Sequence, residues 1–215
     1  MANTSTTGFG ARTAMTLGNA PATSGQSKYK IKSGLGKNIH NHAPVSLQYA
    51  SGGDESYIED ITHATMDDGL TGGASWDADA SNIEPILGVF NGAFYVDNST
   101  SKPTFANNLR GSNAATDIKA FVTDSPHQVY EIQSDNSGAS AQTDLFNNAD
   151  VAVAAGVTPN FISKTELGDS TLATTTANLR IIGVSDDIRN NDLSSANVNF
   201  KVIIIEHFYL TATGV

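Results

Sequence analysis

The 215-residue chain contains no cysteine. Disulfide staples, thiolate metal sites and a cysteine nucleophile are therefore excluded, and stability must come from packing or from assembly. Charge is scarce as well. Only 16% of residues are charged, with 12 Lys and Arg against 22 Asp and Glu, for a net charge of −10. That balance disfavours direct contact with nucleic acid, because phosphate binding needs clustered basic side chains. Long apolar runs are missing too. Stretches such as residues 151–157 and 202–205 fall far below the ~20 residues that cross a bilayer. No basic start followed by an apolar run marks a signal peptide. These absences predict a protein made in a cytoplasm, soluble, and without a membrane partner.

What is present points to β-structure. A hydrophobic content of 39% fills one core leanly at this length. Nineteen glycines, with abundant Asn, Ser, Thr and Ala, suit strands joined by turns better than helices. Residues 1–27 stand apart. Arg12 is their only charged side chain before Lys28, and no period-2 or period-3.6 apolar pattern runs through them. Alone, a segment of this composition is expected to be disordered. It is expected to lie as an extended N-terminal arm against its own domain or a neighbouring subunit, with Phe9, Met15 and Leu17 as anchors.

Residues 28–215 are expected to form a single β-rich domain. KYKIK at 28–32 alternates basic and apolar residues, as a half-exposed strand does. Residues 39–50 continue with period-2 character through Val45, Leu47 and Tyr49. Residues 51–82 form a long, acidic, Gly- and Asp-rich excursion with one short strand near 57–61. Trp76, within it, is either a plug on the domain's core or an intersubunit anchor. The apolar runs 86–90 and 93–96 flank Asn91-Gly92, which predicts a hairpin with a tight type I′ turn. Residues 103–105, 118–123 and 128–133 read as strands, with Ser125-Pro126 turning the chain between the last two. Residues 143–155 read as the one short helix. Thr143 or Asp144 caps it, Leu145, Phe146, Ala149, Ala152 and Val153 make its apolar face, and Gly156 stops it. A Thr-rich β-type stretch at 170–176 precedes strands at 179–184 and 198–206. The predicted fold class is mainly β: a β-sandwich or barrel-like domain with one short helix and an extended N-terminal arm.

Chemistry-bearing constellations are weak. His40 and His42 sit two apart in a predicted strand and would face one side, a spacing that can hold a metal. No HxxxH pair or paired carboxylate accompanies them. Asp54, Glu55, Glu59, Asp60, Asp67 and Asp68 lack the alternating ligands and closing glutamate of a calcium loop, and read as a solvated acidic loop. No Gly-x-Ser-x-Gly elbow and no phosphate loop occur. No catalytic residue, metal or cofactor is expected. The local basic group Lys28, Lys30, Lys32 and Lys37 follows the arm. In an acidic chain this stripe fits docking on an acidic neighbour, or a plain exposed strand face.

An ordered series of elements carries a resemblance. TTGFGARTAMTLGNAPATSGQSKYKIKSG opens it, ILGVFNGAFYVD from Ile86 is its strongest part, and KPTF at 102–105 and AFVTDSPHQVY at 120–130 follow. Asn148-Ala149-Asp150, Leu172-Ala173-Thr174 and Leu179-Arg180-Ile181 continue in the same order. The series resembles a family of small virion structural proteins of marine tailed phages, over most of the chain except residues 51–82. The resemblance implies a non-enzymatic capsid cement or decoration protein, assembled in a bacterial cytoplasm and located in the virion. It further implies the major capsid protein and copies of itself as partners, in a homo-oligomer on the particle. Another virion component (main shell, tail or fibre protein) or a carbohydrate-binding surface module are the alternatives. Phe9, Met15, Leu17, Lys28, Lys30, Lys32 and Trp76 are the expected interface residues.

Overall fold

The computed structural model describes residues 3–18, 20–21, 25–47, 56–61, 85–135, 137–152, 156, 159–174 and 177–210. In chain order its strands are β1 (Arg12–Thr16), β2 (Ala20–Pro21), β3 (Ser27–Lys30), β4 (Pro44–Leu47) and β5 (Ile58–Asp60). Then come β6 (Gly88–Val96), β7 (Pro103–Ala106), β8 (Lys119–Thr123), β9 (Gln128–Gln133) and β10 (Asn148–Ala149). The last are β11 (Val151–Ala152), β12 (Glu166–Leu167), β13 (Leu179–Val184) and β14 (Asn199–Ile204). The fold is mainly β and sandwich-like.

Two antiparallel sheets carry the architecture. The first has the order β10-β13-β14-β9-β1-β2. Its alternation is that of strands with one face in a core: Phe200, Val202 and Ile204 on β14 point inward, beside Leu179 and Ile181 of β13 and Tyr130 and Ile132 of β9. Val89, Ile86 and Ile61 reach this core from the second sheet and its flanks. The second sheet has the order β3-β8-β6-β4-β5, with β7 beside the C-terminal half of β6. Its other face holds a separate core of Val45, Leu47, Ile58, Phe90, Ala93, Ala120 and Val122, closed by Ile39, Leu109 and Ile118 from loops. A parallel bridge from Lys30 to Tyr57 ties the sheet's two outer strands and curls it toward a barrel.

Four expectations are corrected. The Asn91-Gly92 hairpin does not form. Strand β6 runs unbroken through both residues, because both halves pair with β8 and one extra residue is absorbed as a bulge between Phe90 and Ala93. The helix over 143–155 is absent where the chain is described. Gln142–Asp144 makes one 3-10 turn, Phe146 has φ 70°, and β10 and β11 follow. Asn147 and Asn148 interrupt the helical run, and Ala149 and Val151 are buried with Asp150 between them, a period of two. The described part of the Thr-rich stretch contains a 3-10 turn at Asp169–Thr171 and an isolated bridge from Ala173 to Asn148 instead of a strand. Glu59 and Asp60 are not solvated: pairing of β5 with β4 opposite Ser46 and Val45 buries both.

Candidate functional site

Residues 3–18 lie along the chain's own first sheet. β1 pairs with β9 from Arg12↔Glu131 to Thr16↔Gln128. The segment has few apolar side chains to bury, and Ala11 is its one member of the core. Amides hold it instead. Asn190, fully buried, accepts the Ser5 N–H at Oδ1 (3.1 Å) and donates from Nδ2 to the Ser5 and Asn197 carbonyls, both at 2.7 Å. Gln133 adds a bond to the Ser5 carbonyl (3.0 Å), and Gln128 donates to the Met15 carbonyl (2.7 Å). Asn3 donates to the carbonyls of Asp192, Ser195 and Ala196 at 3.1, 3.3 and 2.8 Å. At Gly10 (φ 74°) a side chain would collide with the His42 carbonyl that accepts the Ala11 N–H, so glycine permits this close approach.

A cleft of about 390 Å³ opens beside this segment, lined by Phe9, Arg12, Asn160, Lys164, Asp187 and Arg189 among others. Two of its cations are internally paired. Arg12 sits 4.4 Å over the Phe9 ring and 2.8 Å from Glu131, and Arg189 pairs with Asp187 at 3.1 Å. Lys164 is the lining cation outside these two pairs. His42 is outside the lining, hydrogen-bonded to the Phe9 backbone, and burial holds its pKa below the ordinary value. Its positive φ (63°) takes it out of the extended alternation expected for 40 and 42. The His40 ring stacks on Phe161 instead (6.1 Å), with Arg110 also over Phe161 at 4.9 Å. Among the described residues, no group of three or more His, Cys, Asp and Glu is placed to hold a metal ion.

A second polar cluster ties the C-terminal turn to the second sheet. The Asp124 carboxylate accepts the Tyr29 hydroxyl (2.5 Å) and the Tyr209 hydroxyl (3.2 Å), and the two phenols also contact each other. Burial, then Asp124, raises the Tyr29 pKa. The Tyr209 N–H donates to His207 Nδ1 at 3.2 Å, and burial depresses His207. An acceptor shared by two phenol hydroxyls from different elements fits a structural pin. Elsewhere Asp169 is pushed up to about 7, chiefly by burial, with Asp135 and Asp144 nearby adding to the effect and Ser134 opposing it.

The outer face of the second sheet differs from the rest of this acidic chain. Register places Lys30, Lys119, Phe94 and Phe105 in one row across β3, β8, β6 and β7. The neighbouring row has Lys28 opposite Phe121. Phe105 is 61% exposed. Its ring crosses Gly92, where a Cβ would sit 2.7 Å from it, and reaches Phe121 at 5.8 Å between ring centroids. Lys28 Nζ stands 6.0 Å from the Phe121 centroid. Lys28, Lys30 and Lys119 make no ion pair among the described residues.

The expected interface residues separate. Lys28 and Lys30 meet on this face. Phe9 and Met15 are half-buried on the chain's own domain, Leu17 is exposed in the turn after β1, and Lys32 follows β3 in the chain. Trp76 lies outside the described residues. Lys119, Phe121, Phe94 and Phe105 escape notice in sequence because only strand register brings them beside the lysine stripe. The amides Asn3, Gln133 and Asn190 carry no sequence signal at all. No protein-family model, no curated protein and no solved structure matches the chain.

Proposed function

We propose that the chain is a non-enzymatic virion structural protein, a capsid cement or decoration protein that stabilises a phage head by binding across capsid subunits. The ordered series of residues that resembles such proteins falls on structural elements. GVFNGAFYV is β6, PTFA is β7, KAFVT and QVYEIQ are β8 and β9, and LRIIGV is β13. The observation that carries the reading is the placement of large apolar side chains in loops and turns away from both cores. Ile188 is 83% exposed, Phe146 70% and Leu210 62%. Burying such groups at subunit junctions stabilises by roughly 25 cal/mol per Å², before the cost of association. Major capsid protein and further copies of the chain are the partners this role requires.

The test is made on purified particles. Quantitative mass spectrometry and a cryo-electron reconstruction are expected to place the chain at symmetry-related head positions in a fixed, high copy number. Its absence from purified particles, or a copy number of only a few, would refute the cement role.

A further inference from the structure

We propose that the outer face of the second sheet is a docking surface for an acidic polypeptide segment carrying aromatic or aliphatic side chains. Lys28, Lys30 and Lys119 supply the charge, and Phe105, Phe121 and Phe94 the apolar floor. Lys30 and Lys119 are direct cross-strand partners, and like charges so placed destabilise a sheet unless an anion lies between them. A lysine on an edge strand is a common guard against aggregation. That accounts for Lys28 and Lys30 on β3, but not for Lys119 on β8, an interior strand between β3 and β6. Nor does it account for the open Phe105 ring, which Gly92 permits to reach across β6 toward Phe121.

The nearby carboxylates make no ion pair with these lysines among the described residues. Asp117 accepts the Val96 N–H, and Asp124 accepts the two phenols. Lys28 and Lys30 project on the same side, about 7 Å apart, a spacing that an extended peptide with alternate acidic residues matches. The chain's net charge of −10 opposes a polynucleotide, which presents a continuous line of charge to the whole molecule. A short acidic segment meets only the local positive face. The assignment goes beyond the virion reading and does not depend on it: binding at this face can be present or absent whether or not the chain is found in particles.

The test uses the full chain and a short, fluorescein-labelled random copolymer of glutamate and tyrosine, followed by anisotropy. Saturable binding is expected at low salt, weakening as salt rises. Affinity should fall at least tenfold in Lys28→Glu/Lys30→Glu/Lys119→Glu, and severalfold in Phe105→Ala. Should the triple variant unfold, the milder Lys28→Gln/Lys30→Gln/Lys119→Gln replaces it. In wild type, added copolymer should also slow amide exchange at residues 28–30 and 119–121. Failure of wild type to bind the copolymer would overturn the proposal. So would undiminished binding by a folded lysine variant, tighter binding of a 20-nucleotide oligo-dT, or salt-sensitive self-association with no copolymer binding.

Discussion

Asn190 is the residue on which the docking of the N-terminal segment turns. Replacing it with Ala removes three hydrogen bonds at once: to the Ser5 N–H, the Ser5 carbonyl and the Asn197 carbonyl. They are not equivalent. The Ser5 carbonyl keeps Gln133 as a donor, and Ser5 is exposed enough for water to reach it, so its loss lies at the low end, about 0.5 kcal/mol. The Ser5 N–H contributes about 1 kcal/mol. Asn197 is buried and holds φ 62°, and losing the Asn190 bond to its carbonyl costs about 1–2 kcal/mol. Asn190→Ala should therefore destabilise by about 3 kcal/mol. The effect should appear as a lower urea midpoint at constant m, with faster amide exchange at Thr4 and Ser5. Asn190→Asp keeps the acceptor but turns a carboxylate toward two carbonyls, so it should be worse at pH 7 than at pH 4. If Asn190→Ala changes stability by under 0.5 kcal/mol and leaves Thr4 and Ser5 exchange untouched, the amide clasp does not hold this segment.

Three further outcomes are expected. Folded Asp169 keeps its proton up to about 7, while the unfolded chain releases it near 3.8; the unfolded state therefore binds fewer protons across that window, and stability falls as pH rises from about 4 to about 7. With screening of this half-buried group, Asp169→Asn should gain about 1–2 kcal/mol at pH 7.5 and nothing near pH 3.5, measured by thermal melts across the range. Gly92→Ala places a Cβ 2.7 Å from the Phe105 ring at φ 134° and should cost about 1–3 kcal/mol by denaturant unfolding, while Asn91→Ala, on the exposed neighbour, should cost far less. Asp124→Ala removes the acceptor for Tyr29 and Tyr209; it should destabilise by about 1–2 kcal/mol and shift the Tyr29 titration, followed by absorbance at 295 nm, to lower pH.

The strands were legible wherever their pattern was local. KAFVT, QVYEIQ, LRIIGV and NFKVII alternate or run apolar between turn residues, and each forms a strand. Legibility failed where a local signal met a tertiary competitor. Asn91-Gly92 is a strong hairpin signal, but pairing of both halves of GVFNGAFYV with β8 outweighs the turn. Residues 143–152 carry apolar side chains at both helical and strand spacings. Pairing of Asn148 and Ala149 with Arg180 and Leu179 selects the strand. The outer-face patch was half legible: Lys28 and Lys30 stood out in sequence, whereas Lys119, Phe94 and Phe105 join them only through the register of β8, β6 and β7.

The N-terminal segment shows what composition alone does and does not reveal. Its poverty in apolar residues goes with a single core residue, Ala11, among its described residues. The same poverty conceals how it is held, because Asn and Gln side chains bonding to backbone leave no periodic trace. β1 covers the edge of β9, so deleting residues 1–18 would uncover that edge and leave the buried amides of Gln128, Gln133 and Asn190 without their Met15 and Ser5 partners. Loss of assembly in such a truncation would then reflect a damaged sheet as readily as a missing contact to a neighbour. Substitutions on the lysine face separate the two, since Lys28, Lys30 and Lys119 are exposed and make no ion pair among the described residues. A lysine variant that keeps wild-type unfolding behaviour but loses its partner reports on docking, whereas Asn190→Ala, which leaves the face intact, reports on the arm.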